Sequence, residues 1–159
     1  LIGEITELVE QADLTIAVAE SLTGGMLSSA LAEACGASNW FRGAVVAYAS
    51  DIKHQLLGVP AGPVVSAQAA NAMADGIRRL LAADVAVALT GAAGPDGQDG
   101  QPPGTVFFGL SDGGKSQVEH RYFNRDDPAQ VCADAVAEAI QLLYGFLRAS
   151  LPRTGAGCG

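Results

Sequence analysis

The chain predicts an α/β sandwich built on a mixed sheet of five strands, and three observations carry that prediction. Short apolar or β-branched runs alternate with segments whose apolar residues recur at helical spacing. The run at 84–90, D-V-A-V-A-L-T, is apolar almost throughout and reads as a strand buried on both faces. Towards the end the order changes. Two strand patterns flank Asp112-Gly113-Gly114, a hairpin turn that gives the sheet an antiparallel part.

The elements follow in order. Leu1, Ile5, Leu8, Val9 and Ala12 fall on one face of a helix over 1–12. Residues 15–20 form a first strand, and a helix runs over 23–35 until Gly36 ends it. Trp40 to Gly43 reads as a short connector before a strand at 44–49 and a short helix at 51–57. Ser66 caps a helix over 67–82, with Ala69, Met73, Ile77, Leu80 and Leu81 on its buried face. After the strand at 84–90 comes a Gly/Pro-rich loop, 91–104, of a length that marks an ordered functional loop or a lid. Strands at 105–110 and 117–123 make the hairpin. Pro128 opens the last helix, whose stripe is Val131, Ala135, Ala139, Leu142, Leu143 and Phe146. One domain is expected over 1–150, followed by a Gly-rich flexible tail, 151–159.

Composition narrows the function. Hydrophobic residues make up 49% and charged residues 16%, a balance that favours a compact core over a disordered chain. No apolar run approaches the ~20 residues of a membrane span, and the first helix is acidic and amphipathic rather than a signal peptide. A cytoplasmic protein without a membrane partner is expected. The net charge of −8, with nine Lys and Arg against seventeen acids, supplies no basic face for nucleic acid. Cys35, Cys132 and Cys158 make no C-x-x-C pair, and His54 and His120 are the only histidines. Neither a disulfide framework nor a metal site is expected, and no cofactor.

The chemistry gathers at strand ends. In T-I-A-V-A-E-S-L-T-G-G-M, 15–26, a strand meets a helix through Ser21 and Gly24-Gly25. A helix start carries unpaired N–H groups and the positive end of its dipole, and glycines let a ligand approach the backbone. Ser21 therefore stands as a nucleophile facing preorganised donors, an oxyanion or phosphate site. The plainer alternative is that Ser21 or Thr23 caps the helix and the glycines make the turn. Tyr48 and Lys53 follow the second strand, five residues apart and so unlike the Y-x-x-x-K of short-chain dehydrogenases. Gly91 follows the third. Ligands of parallel sheets sit beyond strand carboxyl ends, so the three ends make one site. A lysine kept partly neutral accepts the serine proton, and tyrosine relays it or protonates the leaving group. Taken singly, Lys53 reads as a solvated helix residue and Tyr48 as an aromatic at the edge of the core. Gly109 to Ser116 also satisfies G-x-x-x-x-G-K-S, but the pattern starts inside a strand and ends in another, so it reads as a hairpin turn and not a phosphate loop.

A-E-S-L-T-G-G at 19–25, F-R-G-A-V-V-A-Y at 41–48, Lys53 with L-L-G-V at 56–59, V-S at 65–66, T-G-A-A-G-P-D-G at 90–97 and P-G-T-V at 103–106 together resemble the CinA C-terminal domain family, which includes nicotinamide-nucleotide amidases. The resemblance covers about 3–147. It implies a three-layer α/β/α sandwich with a mixed, mostly parallel five-stranded sheet. It implies hydrolysis of nicotinamide mononucleotide to nicotinate mononucleotide and ammonia, with Ser21, Tyr48 and Lys53 catalytic. Substrate contacts fall on Glu20, Thr23, Gly24, Gly25, Arg42, Thr90, Gly91, Gly94, Gly104 and Thr105. The partner expected is a small-molecule nucleotide, with no nucleic acid and no membrane, in a homo-oligomer for which a dimer is open. The chain departs from the family at Leu22, where Cys is usual, at Ala49-Ser50, and in the loop 97–103. It departs again at N-R-D-D-P-A-Q-V-C, 124–132, where the family commonly has G-D-R-x-x-V-R and Cys132 replaces one arginine. The competing reading is a competence- or damage-associated module that binds nucleotide without turnover. Nucleic-acid binding rests on fold analogy alone.

Overall fold

A computed structural model describes residues 1–152. The expected tail lies outside the described residues from residue 153 onward. The elements are α1 (Ile2–Gln11), β1 (Ile16–Glu20), α2 (Met26–Ala32), α3 (Ala37–Trp40), β2 (Phe41–Val46), α4 (Ser50–Leu57), α5 (Ala67–Leu80), β3 (Val85–Ala92), β4 (Thr105–Ser111), β5 (Ser116–Tyr122) and α6 (Pro128–Ser150). The strands lie in the order β2-β1-β3-β4-β5. β1 is parallel to both β2 and β3, whereas β4 is antiparallel to β3 and β5. The mixed sheet follows from the connections. Helical crossovers return β2 and β3 parallel to β1, and the short turn at 112–115 can only reverse the chain.

Period-two alternation divides the core. Ile16, Val18, Val85, Val87, Leu89, Val106, Phe108 and Leu110 face one way and pack with α1, α2, α3 and α6. Ala17, Ala19, Ala86 and Ala88 face the other way, against Met73, Ala74 and Ile77 of α5 and Leu57 of α4. The bulky face supplies most of the buried apolar area, at about 1.5–3 kcal/mol for each fully buried large side chain. The alanine face stabilises by close approach instead. A Cβ placed on Gly109 of β4 would lie 2.2 Å from the Ala70 carbonyl oxygen of α5. One on Gly76 of α5 would lie 2.1 Å from the Leu57 carbonyl oxygen at the end of α4.

The structure corrects several boundaries. α2 begins at Met26, after a turn through 22–25, and ends at Ala32; α3 is an additional short helix. The supposed connector at 41–43 is the start of β2, and Tyr48 lies beyond that strand rather than at its end. The pairing steps from Ile16–Phe41 to Ala17–Gly43, so Arg42 is the extra residue of a bulge and Gly43 takes a φ of 136°. β3 runs two residues further than expected and takes in Gly91 and Ala92. Leu80, expected on the buried stripe of α5, is exposed because that helix has reached its last turn.

Candidate active site

β1, β2 and β3 run parallel, so their carboxyl ends share one edge of the sheet. A cavity of about 290 Å³ opens there, lined by Ser21, Leu22, Tyr48 and the stretch Gly91 to Gln98. Ser21 follows β1 directly and is 5% exposed. Tyr48 is 70% exposed at the rim. Lys53, on the first turns of α4, is only 2% exposed, and its Nζ donates to the Tyr48 backbone carbonyl at 3.1 Å. The structure thus brings Ser21 and Tyr48 to one cavity and ties Lys53 to Tyr48 through the main chain rather than the phenol. Burial pushes the Lys53 ammonium below its ordinary pKa, and the Asp99 carboxylate pulls it part of the way back.

Glu20 decides how Ser21 is read. Its carboxylate is fully buried and accepts from Leu27 N–H at 3.0 Å, Ser28 N–H at 2.9 Å, Thr23 Oγ1 at 2.6 Å and the Ser28 hydroxyl. Leu27 and Ser28 are the second and third residues of α2, whose start at Gly25 has no capping side chain of its own. Glu20 therefore caps α2 from the strand, with an anion at the positive end of the dipole. This corrects two expectations. The Glu20 carboxylate is bonded to the Thr23 hydroxyl and to the start of α2, not turned to a substrate, and the Thr23 backbone N–H takes no part in this cap. The cap that would have occupied the Ser21 hydroxyl is provided by another side chain. Sequence reading missed this because the partners lie seven and eight residues downstream, beyond the three-residue spacing of a capping box.

The other expected contacts divide. Gly91 and Gly94 line the cavity. Gly91 is required by packing as well, since a Cβ there would lie 2.5 Å from the Thr105 carbonyl oxygen. The Gly24 N–H, one of the expected oxyanion donors, bonds the Ser21 carbonyl at 3.0 Å. Thr90 is buried, and its Oγ1 donates to the Val64 carbonyl at 2.6 Å. Thr105 is buried in the pairing of β4, and Gly104 N–H bonds the Ala92 carbonyl at 2.7 Å. Thr90, Gly104 and Thr105 adjoin residues of the lining, but none of the three lines the cavity. Arg42 belongs elsewhere. It lies near the amino end of β2, and its Nε donates to the Leu81 carbonyl at 2.5 Å at the far edge of the sheet.

Asp99 was missed. Gln98 and Gln101 exchange backbone hydrogen bonds across Asp99-Gly100, both of which have positive φ, so the loop tip is a tight two-residue hairpin turn. The Asp99 carboxylate accepts from Val64 N–H at 2.8 Å and Val65 N–H at 3.0 Å. The loop at 93–104 is thereby clasped to the segment before α5. The D-G pair between two glutamines was the available signal, hidden among the other glycines of the loop.

Helices on both faces of a mixed five-stranded sheet, with a serine turn at the carboxyl end of β1, define an α/β protein with a cavity beyond the ends of its parallel strands. The chain matches the model of the CinA C-terminal domain over residues 1–147 and belongs to that family. It is 40% identical over 152 residues to a competence-damage inducible protein of Limosilactobacillus fermentum, covering 92% of this chain and 37% of that protein. A competence-damage inducible protein of Bacillus subtilis is 39% identical over 128 residues, covering 77% of this chain and 31% of the relative. The chain thus spans about a third of the length of these curated relatives. Among solved structures, the competence damage-inducible protein A of Klebsiella pneumoniae superposes with a TM-score of 0.89 at 31% identity, covering 94% of this chain and 96% of that one. A CinA superfamily protein from Escherichia coli gives 0.85 at 32% identity, covering 90% and 87%. Among the described residues no helix is long and apolar enough to cross a membrane.

Proposed function

We propose that this chain is a nicotinamide-nucleotide amidase that hydrolyses nicotinamide mononucleotide to nicotinate mononucleotide and ammonia. The observation that carries the reading is the position of Ser21: it lies in the cavity at the strand ends, while Glu20 takes the capping role that would otherwise account for it. In this reading the Ser21 oxygen attacks the carboxamide carbon as its proton passes towards Lys53. The tetrahedral intermediate then collapses, the C–N bond breaks, and the nitrogen leaves with a proton as ammonia. Water attacks the resulting acyl-enzyme, releases nicotinate mononucleotide and restores Ser21. The lowered pKa of Lys53 suits it as the base. Its bond to the Tyr48 carbonyl holds it beside the rim, from where the exposed Tyr48 phenol closes on the substrate and relays the proton. The loop 91–98 receives the nucleotide through its backbone N–H groups.

The reaction so written uses no metal or cofactor and takes place in the cytoplasm. The reading includes a homo-oligomer, for which a dimer is open. The alternative, a module that binds nucleotide without turnover, is favoured by one feature: Lys53 bonds a carbonyl instead of the serine. Incubation with nicotinamide mononucleotide separates the two. The amidase yields ammonia and nicotinate mononucleotide in equal amounts, unaffected by a chelator. Calorimetric binding with no product after prolonged incubation supports the module instead.

A further inference from the structure

We propose that Cys132 is a positioning residue for the Ser21 turn: its thiol holds the Leu22 carbonyl and so sets the direction of the Thr23 N–H. Cys132 lies in the second turn of α6, and its Sγ donates to the Leu22 carbonyl oxygen at 3.3 Å, across 110 residues of sequence. The neighbouring Val131 is fully buried in the main core, which fixes the helix that carries the thiol. Within the turn, the Ser21 carbonyl takes the Gly24 N–H and the Thr23 carbonyl takes the Met26 N–H. The carbonyl between them, that of Leu22, receives its hydrogen bond from Cys132.

A trans peptide is planar, so its C=O and N–H point in opposite directions. Drawing the Leu22 carbonyl towards α6 turns the Thr23 N–H away from α6. Of the backbone amides of Thr23, Gly24 and Gly25 at this helix start, that of Gly24 is occupied by the Ser21 carbonyl, so the orientation of the Thr23 amide gains weight as an oxyanion donor. The same end of α6 comes near the cavity lining at Gly94, where an added Cβ would lie 3.8 Å from the Pro128 ring. Burial pushes the Cys132 thiol up from its ordinary pKa, which keeps the proton it donates. A thiol is a weak donor, so a serine hydroxyl at this position performs the same task and an alanine does not.

The functional half of this claim rests on the amidase reading, and the test separates the two. Amide spectra of the 15N-labelled full chain are compared for the wild type, Cys132→Ser and Cys132→Ala, together with ammonia release from nicotinamide mononucleotide. The Thr23 amide resonance is expected to move in Cys132→Ala and to stay near the wild-type position in Cys132→Ser. The kcat of Cys132→Ala is expected to fall on the order of tenfold with KM within about twofold, and Cys132→Ser to recover most of the loss. An unmoved Thr23 amide in Cys132→Ala, or a Cys132→Ser as perturbed as Cys132→Ala, overturns the positioning role. A moved amide with unchanged kcat overturns its place in the reaction. A wild type that releases no ammonia defeats the amidase reading, and the spectra still decide whether Cys132 orients the turn.

Discussion

Ser28 gives both its backbone N–H, at 2.9 Å, and its hydroxyl to a single carboxylate oxygen of Glu20. The last residue of β1 is thus fastened to the first turn of α2, and the Ser21 turn is closed at both ends. Removing the carboxylate leaves the buried Leu27 N–H and the half-buried Ser28 N–H without this partner. Glu20→Ala is therefore expected to lower the unfolding free energy by on the order of 3 kcal/mol, and Ser28→Ala by about 1 kcal/mol, in urea titrations. A Glu20→Ala variant with the wild-type midpoint but lost nucleotide affinity would return Glu20 to the substrate.

Lys53 sets a pH dependence whose sign is fixed by its surroundings. As the base it must be neutral, so kcat/KM rises with pH through its pKa, and burial brings that limb below the ordinary 10.5. Asp99 opposes the shift. Asp99→Asn keeps an oxygen for the Val64 and Val65 N–H groups but removes the charge, so the limb moves to lower pH. Lys53 and Lys115 are the only lysines, so carbon-13 labelling at lysine Cε follows the same titration directly. A limb that stays in place or moves upward contradicts the assignment. Stability follows the same linkage. The folded pKa lies below the unfolded one, so the buried ammonium destabilises at neutral pH, and the penalty fades as pH rises from the folded pKa towards 10.5.

Arg42 lies on the bulge of β2, away from the carboxyl ends that carry the cavity. Arg42→Ala is expected to leave KM for nicotinamide mononucleotide within about twofold, because its hydrogen bond goes to the Leu81 carbonyl. A tenfold rise in KM with no loss of stability would show that the guanidinium reaches the nucleotide.

Gly109 distinguishes a packing glycine from a phosphate loop. Gly109→Ala drives a methyl group into the α5 backbone and is expected to lower stability by about 1–3 kcal/mol. Gly114→Ala, whose Cβ meets nothing closer than the Asp112 carboxylate at 3.7 Å, is expected to change stability little. Thermal unfolding of both variants checks this. ATP protection of the wild type would contradict the hairpin reading.

What the sequence made legible was local pattern. The apolar runs of β1 and β3, the hairpin and the stripe of α6 could be read because each repeats its period within a few residues. Ser21, Tyr48 and Gly91, read as three strand ends, do line one cavity, although Tyr48 lies past β2 and Gly91 inside β3. What escaped reading was contact over distance. Arg42-Gly43 looks like a connector because a bulge interrupts the alternation of β2. The Glu20 cap skips too many residues to resemble a capping box, and Asp99 acts on Val64 and Val65 from a loop with no period at all. Cys132 carries no sequence signal for its partner Leu22.

The claim that Ser21 is the nucleophile is tested most directly by ammonia release from nicotinamide mononucleotide with wild type and Ser21→Ala at equal concentration. Loss of one member of a cooperating unit removes most of the acceleration, so Ser21→Ala is expected to fall on the order of 10³-fold or more, with nucleotide binding largely kept and little further loss on adding Lys53→Ala. Ammonia release by Ser21→Ala at near the wild-type rate would contradict the account and leave direct attack by water as the mechanism.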